Sequence, residues 1–168
     1  MKALNKKNVS TIISAPWIYT SNIDSELLFD YSLIIKDDKV VDLVSQDKVF
    51  DEYEADNTYE LTDHILIPGM INTHTHSAMN IFKGFADDLP LQDWLNNHIW
   101  PAEKKFVDTS FVKDGSVLAL SEMIKAGVTT FNDMYFFPDA TAQAAKELGI
   151  RANIGLVVLD FPTNYASD

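Results

Sequence analysis

Cysteine is absent from the 168 residues. Disulfides and thiolate metal sites are therefore excluded, as fits a cytoplasmic protein. Cationic residues are few: 13 Lys and Arg stand against 25 Asp and Glu, for a formal net charge of −12. Nucleic-acid binding depends on Lys and Arg neutralising phosphates, so no nucleic-acid partner is expected. Long apolar runs are missing too. The stretch over residues 11–19 is interrupted by Pro16 and is too short to cross a membrane. No segment reads as a signal peptide, and no membrane partner is expected. Internal repeats beyond βα units and low-complexity tracts are also lacking. Histidine is scarce, with only His64, His74, His76 and His98.

Hydrophobic residues make up 46% of the chain, an ordinary share for a globular protein. The acidic residues are spread out, apart from Asp51-Glu52-Tyr53-Glu54-Ala55-Asp56, which reads as a solvated loop. The acidity argues for solubility more than for a partner.

Two textures divide the chain. Residues 1–64 carry short β-rich segments: Ser10-Thr11-Ile12-Ile13, then Ser32-Leu33-Ile34-Ile35. Asp37-Asp38-Lys39 reads as a hairpin turn into Val40-Val41-Asp42-Leu43-Val44. This predicts sheet without helix, part of a small β-sandwich. Residues 65–168 alternate strands with helices, the sign of βα units and a parallel sheet. Strand 1 is predicted over 65–72, and a long excursion follows to about Asp108. A helix is predicted from Ser110 to Ala126, with Gly127 closing it. Strand 2 is predicted over 128–132. A helix opened by Pro138 and Asp139 is closed by Leu148-Gly149, and strand 3 lies within 150–159.

The most informative local feature is His74-Thr75-His76, beyond the apolar run Ile65-Leu66-Ile67-Pro68-Gly69-Met70-Ile71-Asn72. Alternate side chains of a strand share a face. Two histidines at i and i+2 can therefore aim both imidazoles at one metal ion, and zinc accepts such nitrogen ligands. A bare His-x-His pair is a weak motif; its place at a strand end strengthens it. Asp133, at the end of strand 2, reads as a residue that caps or bonds a loop rather than one that catalyses.

The wider words are Pro68-Gly69-Met70-Ile71-Asn72-Thr73-His74-Thr75-His76, Ala86-Asp87-Asp88-Leu89-Pro90-Leu91-Gln92-Asp93-Trp94-Leu95 and Ile99-Trp100-Pro101-Ala102-Glu103. With these the chain resembles the amidohydrolase superfamily. More closely it resembles the group of methylthioadenosine/S-adenosylhomocysteine deaminases, which neighbours the triazine hydrolases. The resemblance implies an α/β protein: a metal-dependent (β/α)8 barrel joined to a small β-sandwich. It implies that His74 and His76 are the first two ligands of one divalent metal ion, zinc by preference. It implies that Glu103 recognises the ribose hydroxyls of a nucleoside. A carboxylate suits that task, since it accepts hydrogen bonds from neighbouring hydroxyls. On its own residues, Glu103 reads as a solvated glutamate at a helix start after Pro101.

The family's third histidine ligand, its substrate-binding histidine, its acid/base glutamate and its metal-binding aspartate have no counterpart here. His64 and His98 read as ordinary surface or packing histidines. A (β/α)8 barrel needs about 250 residues, more than the chain holds. We therefore expect the N-terminal part of a longer enzyme, with the first three βα units over 65–168. No catalytic residue beyond the two metal ligands is expected within it, and alone it should be inactive.

For the intact protein the resemblance implies hydrolytic deamination of an adenine nucleoside: 5′-methylthioadenosine, S-adenosylhomocysteine or adenosine. Two alternatives stay open. One is deamination or dechlorination of guanine, pterin or s-triazine rings. The other is a non-catalytic remnant. Arg151 lies early in strand 3 and no second arginine follows, which leans away from a homocysteine carboxylate. The excursion residues Phe82, Phe85, Leu89, Trp94, Ile99 and Trp100 either wall a ligand pocket or pack the excursion down. Trp94 is the best pocket candidate and is taken with Glu103 as substrate-binding. The partner is a small molecule, and self-association into a homo-oligomer stays open.

Overall fold

The computed structural model describes residues 6–166. The last two residues of the expected terminal loop, Ser167 and Asp168, lie outside them. The chain forms two compact units, Met1–Pro68 and Gly69–Asp168.

The first unit is built on one sheet of five strands. β1 (Lys7–Tyr19) pairs antiparallel with β2 (Leu27–Lys36), and β2 pairs antiparallel with β3 (Lys39–Ser45). β4 (Tyr53–Glu60) and β5 (Ile65–Leu66) both run parallel to β1. The β2–β3 turn falls at Asp37-Asp38, as the sequence predicts. Asp37 takes a left-handed conformation with φ of 56°, which aspartate tolerates better than most residues. Ile12 and Ile34 are cross-strand partners and both are fully buried. Such opposed pairs are what pin a register.

Two expectations for this unit are corrected. It is not sheet without helix, because α1 (Gln46–Glu52) packs a fully buried Val49 against Val9, Ile12, Ile34 and Tyr53. Nor is the acidic run a loop: it ends α1 and opens β4. Its carboxylates are exposed, but Tyr53 between them is buried and its hydroxyl donates to Asp42 Oδ2 at 2.6 Å. One buried aromatic and a ladder with β1 outweigh the local polarity.

The second unit holds a parallel sheet in the order β6 (Met70–Thr75), β7 (Val128–Met134), β8 (Arg151–Gly155). The predicted strand over 65–72 is two strands. Pro68 has no N–H for a ladder. A side chain at Gly69 would collide with that of Thr129, so the backbone passes close there. Ile65 and Leu66 accordingly stay with β1, and the units divide four residues later than the sequence suggests.

Between β6 and β7 the chain makes a 3₁₀ turn (Ser77–Phe82), then α2 (Leu91–Asp93), a π-helical turn (Trp94–Ile99) and α3 (Trp100–Phe106), which run on without a break. Pro101 supplies no N–H and its ring crowds the carbonyl four residues earlier. The wider π turn lies just ahead of it, where the helix accommodates that ring. α4 (Thr109–Lys125) follows, capped by Asp108, whose side chain accepts the Phe111 N–H. α5 (Pro138–Leu148) joins β7 to β8 and ends at Gly149, left-handed with φ of 70°. Leu120 of α4, Phe131 of β7, and Ala144 and Ala145 of α5 close the core between helices and sheet. This is the βα order expected at the front of a barrel. No helix among the described residues is long and apolar enough to cross a membrane.

Candidate active site at the C-terminal ends of the parallel strands

β6 and β7 pair as far as Thr75 and Asp133. His74 lies within β6 and His76 one residue past it, rather than both beyond the strand. Their alternation brings the two rings together, with centroids 5.0 Å apart and planes at 80°. Two imidazoles sharing one ion at a near-tetrahedral angle would stand about this far apart, given metal–nitrogen distances of about 2.0–2.1 Å. Nδ1 of His76 lies against the backbone carbonyl of Met134. A carbonyl only accepts, so the proton sits on Nδ1 and the lone pair of Nε2 is left for a cation. This is the usual support behind a metal-binding histidine. The donor set fits a borderline-soft divalent cation. Among the described residues no third histidine or carboxylate completes a cluster.

Asp133 is 1% exposed. Its Oδ1 accepts the Ser77 N–H at 2.7 Å, and Oδ2 has no partner among the described residues. Burial pushes its carboxyl above the usual range, and the Ser77 N–H opposes that shift. Asp133 thus anchors the turn that follows His76, a loop-bonding role that matches the sequence reading.

His76, Met79, Trp94, Trp100, Glu103 and Tyr135 line a cleft of about 230 Å³, with Leu95, Ile99 and Val157 filling its apolar wall. Of the six excursion residues, Trp94, Ile99 and Trp100 face the cleft. Phe82 packs on Phe85 and Phe111 instead, and Leu89 is exposed. His98 stands edge-on to Phe85, while His64 pairs with Asp63 in the first unit. Neither joins the site.

Glu103 does stand in the first turn of α3, two residues after Pro101, but it is half-buried rather than solvated. It sits in the last turns of the helical run over 91–106, and Tyr135 Oη donates to its Oε1 at 2.7 Å. Burial raises its pKa, while the Tyr135 hydrogen bond pulls it down, as a positive charge at His76 would. Burial and the neighbouring Glu103 carboxylate raise that of Tyr135 as well, so its hydroxyl keeps its proton and acts as a donor.

Tyr135 escaped the sequence reading. The available signal was its position just past a parallel strand, where Asp133 was already noted. Asn164 escaped it entirely. Its side-chain amide donates to the carbonyls of Glu103, Lys104 and Val107 at 3.1, 2.9 and 2.9 Å, tying the chain beyond β8 to the end of α3. Nothing local in the sequence announces that contact.

The model of the Amidohydrolase family matches residues 65–168. A 5-methylthioadenosine/S-adenosylhomocysteine deaminase of Saccharophagus degradans is 44% identical over 163 residues, 97% of this chain and 36% of that protein. Its namesake in Thermodesulfovibrio yellowstonii is 49% identical over 154 residues, 90% of this chain and 35% of that protein. Among solved structures, an adenosine deaminase from Xanthomonas campestris with bound zinc superposes with a TM-score of 0.91 at 35% identity, over 97% of this chain and 37% of that one. The chain thus spans about a third of the length of these relatives.

Proposed function

The chain belongs to the amidohydrolase family, and from that premise we propose that the whole protein is a metal-dependent aminohydrolase. It exchanges the 6-amino group of an adenine nucleoside for oxygen from water and releases ammonia. The names of the relatives support an adenine nucleoside, either 5′-methylthioadenosine, S-adenosylhomocysteine or adenosine.

His74 and His76 would hold the cation, which the zinc-bound deaminase of Xanthomonas campestris suggests is zinc. When bound, such an ion supplies Lewis acidity that brings the pKa of water toward neutrality. The chain's own residues bind and orient the substrate. Trp94 and Trp100 offer aromatic surface to a purine and keep water from the cleft. Glu103 accepts hydrogen bonds from the ribose hydroxyls.

The observation that carries this reading is the half-buried Glu103 carboxylate, held by Tyr135 in the same cleft as His76. A buried carboxylate is costly unless it meets donors, and a ribose diol supplies two. Arg151 supports the lean away from a homocysteine carboxylate. It is the first residue of β8, at the opposite end of the sheet, where its Nε donates to Thr130 Oγ1 at 3.1 Å.

The test uses Glu103→Ala in the whole protein, with 5′-methylthioadenosine and its 2′,3′-dideoxy counterpart as substrates. The variant should lose roughly ten- to a hundred-fold in kcat/KM on the diol substrate. The dideoxy substrate should cost the natural protein a similar factor and the variant little more. If the two losses multiply instead, Glu103 does not hold the ribose. A variant that deaminates or dechlorinates free bases or triazines as well as the natural protein, with no nucleoside turned over by either, would point to the ring-hydrolase alternative.

A further inference from the structure

Glu103 and Tyr135 come from different elements, the first turn of α3 and the residue after β7, yet meet at 2.7 Å. Tyr135 is only 6% exposed, and its ring centroid lies 6.3 Å from that of His76. Its chain neighbour Met134 supplies the carbonyl that holds His76. Consecutive residues at one strand end therefore hold the metal-side imidazole and the substrate-side carboxylate. Among the described residues, the Tyr135 hydroxyl is the one side-chain donor to the Glu103 carboxylate. It engages Oε1 and leaves Oε2 with its lone pairs uncommitted. Asn164 fixes the backbone of Glu103 and Lys104 from the other side, so the carboxylate's freedom is mainly rotation of its own side chain.

We propose that Tyr135 is a positioning residue for ribose recognition: its hydroxyl holds one oxygen of Glu103 so that the other faces the sugar diol. The proposal rests on the reading of Glu103 as the ribose ligand. Holding the acceptor before substrate arrives lowers the ordering cost of binding, which is where preorganisation contributes affinity. The hydroxyl touches neither the purine nor the water in this account, so its loss should act on binding more than on the chemical step.

The experiment compares the natural whole protein with Tyr135→Phe, Glu103→Ala and the double variant. Each is assayed on 5′-methylthioadenosine and its 2′,3′-dideoxy counterpart, with bound zinc and Tm measured alongside. Phenylalanine keeps the buried ring and removes only the donor. Tyr135→Phe should lower kcat/KM on the diol substrate about ten-fold, a step of about 1.4 kcal/mol, carried mainly by KM. It should change the dideoxy substrate by less than about two-fold, and the double variant should be no worse than Glu103→Ala.

Full activity of Tyr135→Phe on the diol substrate, with Glu103→Ala still selective, would overturn the positioning role and leave the ribose reading intact. Equal losses on both substrates, with or without loss of zinc or a lower Tm, would also overturn it, since that marks a structural role. If Glu103→Ala itself treats both substrates alike, the ribose reading fails and this proposal falls with it.

Discussion

Oδ1 of Asp133 accepts the backbone N–H of Ser77 at 2.7 Å, across 56 residues of sequence. The bond ties β7 to the first residue after the second histidine. Ser77 continues the link through its hydroxyl, 3.2 Å from that of Ser116, which in turn lies 3.2 Å from that of Thr141. All four residues are buried. The turn after His76 is thus fastened to β7, α4 and α5 together, so the direction of His76 is set by the packed core beneath it.

Metal binding is the first consequence. In the whole protein, His74→Ala and His76→Ala should each sharply lower bound zinc, because each removes one of the two nitrogen donors that share a strand face. Elemental analysis of the purified variants checks this. Normal zinc content in both would sink the assignment of the site.

Close packing beneath the site gives a second. Gly115 of α4 faces Ala78, and a methyl group there would run into the Ala78 carbonyl and lie 2.9 Å from its Cα. Backbone cannot yield as a flexible side chain can. Gly115→Ala should destabilise by about 1–3 kcal/mol, the usual cost of overpacking. It should lower zinc affinity as well, since the displaced turn carries His76. Thermal denaturation with a zinc titration reads both effects. An unchanged Tm would mean that the turn is not packed on α4 as described.

Trp94 offers a third. It lines the cleft with Trp100 and Ile99. Trp94→Ala should raise KM for the nucleoside roughly ten-fold or more, as loss of a stacking surface worth about 1–3 kcal/mol requires. Bound zinc should stay near its normal value. Loss of zinc with no change in KM would assign Trp94 to packing alone.

The cap of α4 makes a pH-dependent prediction. The Phe111 N–H, and then the Ser110 hydroxyl, hold the Asp108 carboxyl below its usual pKa. A group whose pKa is depressed by folding stabilises the fold above its unfolded pKa of about 3.9. That contribution is lost as pH falls through the folded value. Asp108→Ala should therefore lower Tm at neutral pH, and the gap to the natural protein should narrow as pH drops below about 4. Because the side chain is exposed, added salt should narrow it too. A gap that is constant with pH would assign the effect to cap geometry without charge.

Much of this protein was legible from neighbours along the chain. A strand's two-residue period is local, so His74-Thr75-His76 already implied two imidazoles on one side. The Asp37-Asp38 turn, Gly127 and Gly149 punctuate where their backbone preferences require. The order of βα units followed from spacing. α1 was not legible, because its seven residues have no long apolar period and are kept helical by one buried Val49. The split between β5 and β6 was not legible either. Both segments are apolar, and only the pairing of Ile65 and Leu66 with β1 assigns them to the other sheet.

The cleft belongs to the same class. On its own neighbours, Glu103 is a polar residue after a proline. Which side of the helix it shows, and that Tyr135 and His76 stand opposite, depends on how a long crossover folds back over the end of the sheet. Local propensities carry no information about that distance. It is decided by burial of Tyr135 with Ala78, Val107 and Val112, and by the cost of leaving a half-buried carboxylate without a donor.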